Sequence, residues 1–146
     1  MAGVRGVRYG ELGYKTWEYH EKDIINQSGN WNGISFRNPS TSMFIVGDFN
    51  QTKGIEKGYG TKKCRDLLTN ELKKSKFECI SEGNFENNFL TAEPKKQVIR
   101  KNMDHICVTT NFISAVKNYK VSAWNHFTED GIYMSDHNGI YVDFEI

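Results

Sequence analysis

The sequence predicts an α+β fold, and three segments carry that prediction. Residues 43–46 form an uninterrupted apolar run that Gly47-Asp48 closes, a pattern typical of a short strand buried on both faces. Residues from about 62 to 75 repeat apolar side chains at helical spacing. From residue 140 to 146 apolar and polar side chains alternate with a period of two, which indicates a half-buried strand.

The remaining elements are read from the same local patterns. The helix after Thr61 is the clearest, because that hydroxyl can cap it and the apolar positions are Cys64, Leu67, Leu68 and Leu72. The patterns favour further strands at 77–80, 106–109 and 116–123, a short helix at 21–26, and loops at 83–88 and 125–135. No repeat or linker divides the chain, so residues 1–146 are expected to form one domain.

Composition excludes several classes of protein. With 19 Lys+Arg against 18 Asp+Glu the net charge is +1, so the whole molecule has no strong field for polyanions and any such contact must be local. The three cysteines are widely spaced and form neither a disulfide framework nor a zinc pattern. No signal peptide or apolar run of membrane-spanning length is visible. We therefore expect a cytoplasmic protein without a membrane span.

Three short polar motifs accompany predicted strands. Asp48 and Asn50 follow the apolar run, Asp104 opens the strand that contains residues 106–109, and Asp136-His137 precedes the last strand. Strand ends converge on one rim of a layered fold, where loops can surround a ligand. The sequence therefore predicts that these five side chains share one shallow cleft.

Phosphoester hydrolysis suits this set of residues. Carboxylates such as Asp48 and Asp136 can hold Mg²⁺ or position water, and the Asn50 amide can contact a phosphate oxygen or the nucleophile. An imidazole oriented by a carboxylate can act as acid, base or charge stabiliser, and His137 with Asp104 is the expected pair. His105 should point away, because neighbouring strand residues face opposite sides.

Taken together, the three segments FIVGDFNQ, MDHICVT and MSDHNGIYVDF resemble, in this order, the C-terminal half of the endonuclease/exonuclease/phosphatase superfamily. This superfamily includes abasic-site endonucleases and DNase I-like enzymes. The resemblance covers residues 40–146, whereas residues 1–35 are atypical of it. It implies a four-layer β-sandwich flanked by helices, of which this chain would supply an incomplete half.

The resemblance also implies a role for each site residue and for a metal. Asp48 and Asn50 would orient the attacking water and the scissile phosphate, and His137 would contact the phosphate. Asp104 would orient His137, and Asp136 would help to hold Mg²⁺, for which Mn²⁺ is a possible replacement. The expected substrate is a phosphoester, for which DNA, RNA, a phosphoinositide and a small phosphoester all remain open.

The first half of the superfamily pattern is the main departure. Members carry there an Asn and a principal metal-binding Glu, and the 47 residues that precede Asp48 cannot hold that half. We therefore expect weak metal binding and slow or absent hydrolysis. The alternative function is a non-catalytic fragment or split-gene product that binds a partner chain, or itself, through the face left uncovered.

Each motif also has a simpler interpretation when it is taken singly. Residues 47–50 could be a tight turn after a strand, and Asp136-His137 could be a surface turn. The basic run Lys95, Lys96, Arg100 and Lys101 could track a phosphate backbone, although such runs are more often solvated. His20 could replace a histidine from the absent half, but its sequence context does not match.

Overall fold

The fold is α+β. The computed structural model describes residues 16–83, 101–124 and 127–146. Most of the predicted loop at 83–88 lies outside the described residues, as do the basic residues Lys95, Lys96 and Arg100. The elements follow in the order α1 (Thr16–Arg37), β1 (Phe44–Asp48), α2 (Lys62–Lys74), β2 (Phe77–Cys79), β3 (Asp104–Thr109), α3 (Thr110–Ala115), β4 (Asn118–Trp124) and β5 (Gly139–Glu145).

These strands form two antiparallel sheets. One has three strands in the order β1-β3-β2, and the other pairs β4 with β5. The central strand β3 separates two hydrophobic cores, because successive side chains of a strand face opposite sides. Cys107 packs into a core with α1 and α2, whereas Ile106 and Val108 pack into a second core with Ile140 and other residues of β5.

Helix α2 forms where the sequence predicts it. The Thr61 hydroxyl accepts a hydrogen bond from the Cys64 backbone N–H at 3.1 Å, so it satisfies one of the unpaired donors of the first turn. Cys64, Leu68 and Leu72 are fully buried on one helix face. This face packs against α1 and the three-stranded sheet, which fixes one wall of the molecule.

Strand β1 departs from the prediction that it is buried on both faces. Ile45 is only 5% exposed, but Phe44 and Val46 on the other face are 47% and 54% exposed. The reason is topological: β1 lies at the edge of the described sheet, and the β4–β5 pair packs mainly against β3, with the Phe44 ring reaching Phe144 of β5. A continuous apolar run shows that a segment can be buried, and it does not show which neighbour covers each face.

Helix α1 is much longer than the short helix predicted at 21–26. It runs for 22 residues but buries only Ile24 and Ser28. A helix with so small a buried face needs no apolar stripe, so hydrophobic periodicity does not reveal its length. Contacts with α2 stabilise it: the Lys63 ammonium pairs with Glu21 at 2.5 Å, and Ser28 donates to the Glu71 carboxylate at 3.0 Å. None of the described helices combines the length and apolarity that crossing a membrane would require.

Candidate metal and acid-base site

The register between β1 and β3 builds the centre of the site. Asp48, the last residue of β1, pairs directly with Asp104, the first residue of β3. The loop before β5 brings His137 to the same place. One ligand atom from each of these three side chains lies within 4.8 Å of the other two, so the described residues place two carboxylates and an imidazole in one group.

His137 and Asp104 form the predicted pair. The His137 Nδ1 lies 2.6 Å from the Asp104 Oδ2, and both side chains are about a quarter exposed. Nδ1 donates in this bond because the carboxylate can only accept, so the orientation of the ring is fixed and Nε2 stays outside the bond. His105 lies on the opposite face of β3 with 1% exposure, and its Nε2 contacts the Gln51 carbonyl at 2.9 Å. The expected strand register is confirmed.

The charges around His137 change its acidity. Burial alone lowers its pKa, but the hydrogen bond to Asp104 and the charges of Asp104, Asp48 and Asp136 outweigh burial and raise the pKa above the ordinary value of 6.5. The ring therefore keeps its proton to a higher pH than a free histidine does. A protonated imidazole at this position can donate a proton or stabilise negative charge.

The turn after β1 holds the Asp48 carboxylate. Asn50 adopts a left-handed backbone conformation with φ of 52°, which asparagine tolerates better than most residues do. Its backbone N–H donates to Asp48 Oδ1 at 2.7 Å. The simple interpretation of this segment as a tight turn is therefore correct for its backbone, and Asp48 of the same turn belongs to the group with His137. Asn50 itself is exposed.

Gln51 anchors this turn, and the sequence analysis did not single it out. It is completely buried, and its side chain contacts the His20 ring at 3.2 Å and donates to the Cys64 carbonyl at 3.3 Å. Its own carbonyl accepts from the His105 ring, so one residue ties the turn to α1, α2 and β3. A glutamine after Asp-Phe-Asn carries no local pattern that predicts such contacts.

Asp136 lies beside the three-residue group without being a member of it. It is exposed, and its negative charge contributes to the raised pKa of His137. It also lines a depression of about 290 Å³ together with Asp104, His137, Lys101, Tyr59 and Asn138; we call it the polar depression because each of these side chains carries a polar group. The structure thus places Asp136 close to the group, whose two carboxylates are Asp48 and Asp104.

A second depression adjoins the first and shares Asp104 and His137 with it. Its volume is about 430 Å³, within the range of small-molecule sites, and its lining is mostly apolar, with Val46, Ile106 and Met134 among its residues. Trp124 closes one side, where its ring lies across Gly139. A Cβ on Gly139 would stand 2.9 Å from the ring, so only glycine permits this packing.

The donor set of the group fits a divalent cation. Asp48 and Asp104 each use one oxygen in a hydrogen bond and retain a second oxygen. Mg²⁺ and Mn²⁺ both suit carboxylate and water oxygens, and Mg²⁺ keeps several of its waters. The third carboxylate, Asp136, stands near the same histidine. The number of fixed oxygens is small, so the expected binding is weak.

Comparisons with models of protein families, with curated proteins and with solved structures found no match to this chain.

Proposed function

We propose that this protein is a weak, divalent-metal-dependent phosphodiester hydrolase. One observation carries the proposal: ligand atoms of Asp48, Asp104 and His137 lie within 4.8 Å of one another, and Asp104 and His137 line two adjoining depressions. The order of the three sequence motifs, which resembles that of the endonuclease/exonuclease/phosphatase superfamily, also supports it. Neither a simple turn nor a polar strand end requires these three groups to converge.

His137 provides the proton in the proposed reaction. Because Asp104 holds Nδ1, the Nε2–H of the charged ring is left to donate to the leaving oxygen of the substrate. The raised pKa favours this charged form. Water attacks phosphorus, the bond from phosphorus to the leaving oxygen breaks, and that oxygen takes the His137 proton. Asp104 acts by positioning the ring.

Asp48 and Asn50 orient the attacking water in this proposal. The Asn50 N–H occupies Asp48 Oδ1, so Oδ2 is left to accept a hydrogen bond from water. Asp48 and Asp104, with Asp136 beside them, are the residues that would hold Mg²⁺ or Mn²⁺. When bound, such an ion supplies positive charge against the negative charge that develops on the phosphoryl group.

The two depressions divide the substrate at the scissile bond. Lys101 and Asn138 line the polar depression and suit the anionic phosphate and its hydrated side. Trp124 and Met134 line the apolar depression and suit a flat, uncharged group. A phosphodiester with an aromatic group on one side, such as a nucleoside or a nitrophenyl ester, matches both surfaces.

Hydrolysis of bis(4-nitrophenyl) phosphate in Mg²⁺ or Mn²⁺ tests the proposal. Wild-type protein should turn over slowly but above the rate without protein. His137→Ala should fall by about 100-fold or more, or to background, because general acid catalysis contributes on the order of 10²–10⁴. Asp104→Asn should lose most of the rate because it no longer holds the ring of His137 by a charged bond.

Asp143→Asn is the matched control, because Asp143 is an exposed carboxylate on β5. It should keep the wild-type rate. Circular dichroism of all variants separates lost chemistry from lost folding. Equal rates for wild type and His137→Ala, with both proteins folded, would overturn the proposal.

A second candidate function is self-association, and the exposed face of β1 favours it. Phe44 and Val46 are about half exposed at the edge of the described sheet, although the Phe44 ring also contacts Phe112. Under this alternative, wild-type protein dimerises in sedimentation velocity and Val46→Lys is monomeric. Ile25→Lys, at an equally exposed position on α1, should leave the dimer intact. A wild-type monomer at every concentration would reject this candidate.

A further inference from the structure

Two of the three cysteines are neighbours on adjacent strands, on the face of the sheet away from the proposed hydrolytic site. Cys79 on β2 and Cys107 on β3 are direct partners in the antiparallel register. Both thiols are free and buried in the core that α1 and α2 cover. In the sequence, 27 residues lie between Cys79 and Cys107, so their spacing gives no sign of a pair. The register brings them together.

The ladder of hydrogen bonds decides how close the two residues lie. The Ile80 N–H donates to the Ile106 carbonyl, and the Thr110 N–H donates to the Lys76 carbonyl, each at 2.9 Å. Hydrogen-bonded and non-hydrogen-bonded pairs alternate along an antiparallel ladder, so Cys79 and Cys107 form a non-hydrogen-bonded pair. The Cα atoms of such pairs are about 4.5 Å apart, inside the range of about 4.4–6.8 Å that disulfides span.

We propose that Cys79 and Cys107 are a reversible thiol pair that a small disulfide such as oxidised glutathione converts into a cross-strand disulfide. The separation lies at the short limit of disulfide geometry, so the bond is expected to be strained and easily reduced. The proposal does not depend on the hydrolytic function. It concerns the helix-facing side of β3, whereas Asp104 faces the opposite side.

Cys79 reacts first in this proposal. It lies on β2, at the edge of the sheet, and is 8% exposed, whereas Cys107 on the central strand is completely buried. The hydrogen bond from Cys107 lowers the pKa of Cys79 to about 5 against the opposing effect of burial, and the same contact raises the pKa of Cys107. A thiolate is the form that attacks a disulfide.

The two steps balance without any further oxidant. The Cys79 sulfur attacks one sulfur of oxidised glutathione, forms a mixed disulfide and releases one glutathione, which takes the Cys79 proton. The Cys107 sulfur then attacks the Cys79 sulfur, closes the protein disulfide and releases a second glutathione, which takes the Cys107 proton. Two protein thiols are oxidised and one glutathione disulfide is reduced.

Cys64 provides an internal control, because it lies in α2 against Trp17 and Glu21. Folded protein is incubated with oxidised glutathione, quenched with an alkylating reagent, digested without reduction and measured by mass spectrometry. The expected result is one peptide pair joined through Cys79 and Cys107, with Cys64 alkylated. Cys64→Ser should form the same link. Dithiothreitol should restore all three thiols.

Single variants test the order of attack. Cys107→Ser should accumulate one glutathione on Cys79, and Cys79→Ser should leave Cys107 unmodified in the folded protein. If a variant fails to fold, the wild-type peptide map still decides. The proposal would be overturned if folded wild-type protein keeps both thiols free while protein unfolded in guanidinium oxidises under the same conditions. A link that involves Cys64 would overturn it as well.

Discussion

At the scale of single residues, the site depends on side chains that hold other side chains in place. Asp104 fixes the His137 ring, and the Asn50 backbone fixes Asp48. Gln51 fixes the turn that carries both Asp48 and Asn50, because it contacts two helices and the His105 ring. Replacing such a residue can change the position of a reacting group without removing that group.

The Asn50 backbone forms the turn, and its side-chain amide is expected to contact substrate. Two substitutions can separate these roles. Its φ of 52° costs an alanine about 1–2 kcal/mol, whereas glycine adopts it freely. We expect Asn50→Ala to be less stable than Asn50→Gly in urea unfolding. If the Asn50 amide contacts substrate, as the sequence resemblance implies, both variants lose phosphodiester turnover. Full turnover in a stable Asn50→Gly would show that only the turn conformation matters.

His20 makes stability depend on pH. Burial lowers its pKa below 6.5, and the hydrogen bond with Gln51 and the charges of Asp23 and Asp48 offset burial only in part. The unfolded chain therefore binds the proton more readily than the folded chain. The contribution of His20 to stability is complete above the ordinary pKa and decreases as pH falls from 6.5 through the lowered folded pKa.

The variant His20→Gln tests this dependence, since glutamine can still donate to Gln51 and does not titrate. Urea unfolding is measured at about pH 8, where His20 is neutral in both the folded and the unfolded chain. It is measured again at about pH 5, where His20 of the unfolded chain is charged. We expect wild type to lose more free energy of unfolding than the variant over this interval. An equal loss in both proteins would show that the pKa of His20 does not change on folding.

At the scale of elements, α2 was predictable because its local and tertiary requirements agree. Its cap residue, its apolar spacing and its buried face all indicate the same segment. Helix α1 has no comparable stripe, because it is stabilised by contacts such as Ser28 with Glu71 that no local pattern reveals.

Strands β3 to β5 were predictable from apolar residues and alternation. The exposure of β1 depends on which strand is its neighbour, and that information is not local.

The Thr61 cap can be measured directly. Thr61→Ala removes the acceptor of the Cys64 N–H and should reduce the free energy of unfolding by about 1 kcal/mol, within a range of about 0.5–2. Thr69→Ala is the control within the same helix, since its exposed hydroxyl only donates back to the Arg65 carbonyl. It should change stability by no more than a few tenths of a kcal/mol. Equal effects in urea unfolding would contradict the capping role.

At the scale of the whole molecule, the candidate site combines groups that are far apart in the sequence. The three motifs predicted that Asp48, Asn50, Asp104, Asp136 and His137 would share one cleft. The structure groups Asp48, Asp104 and His137, and Asp136 lines the depression beside them. Gln51 and the thiol pair were not predictable in this way. Their roles arise from register and packing between segments, and an alternating strand pattern specifies which face a residue occupies without identifying its partner.

The resemblance and the geometry lead to different assignments of the metal ligands. The resemblance implies Asp136, which lines a depression with His137, whereas the carboxylates of the three-residue group are Asp48 and Asp104. All three side chains lie near one histidine, so a cation could use Asp48 together with either of the others. Asp48 belongs to the three-residue group, and its residue chemistry alone already suggests that it holds Mg²⁺ or positions water, so its removal is the most informative change.

Calorimetric titration of the protein with Mn²⁺ is the most direct test that these side chains form one cation site. Wild-type protein should show a single, weak, saturable binding event that is lost in Asp48→Asn and retained in Asp143→Asn, which removes an equal charge from an exposed position on β5. Asp104→Asn and Asp136→Asn then show which second carboxylate takes part. Identical titrations for wild type and Asp48→Asn, or no saturable binding in either protein, would contradict a shared cation site at these side chains.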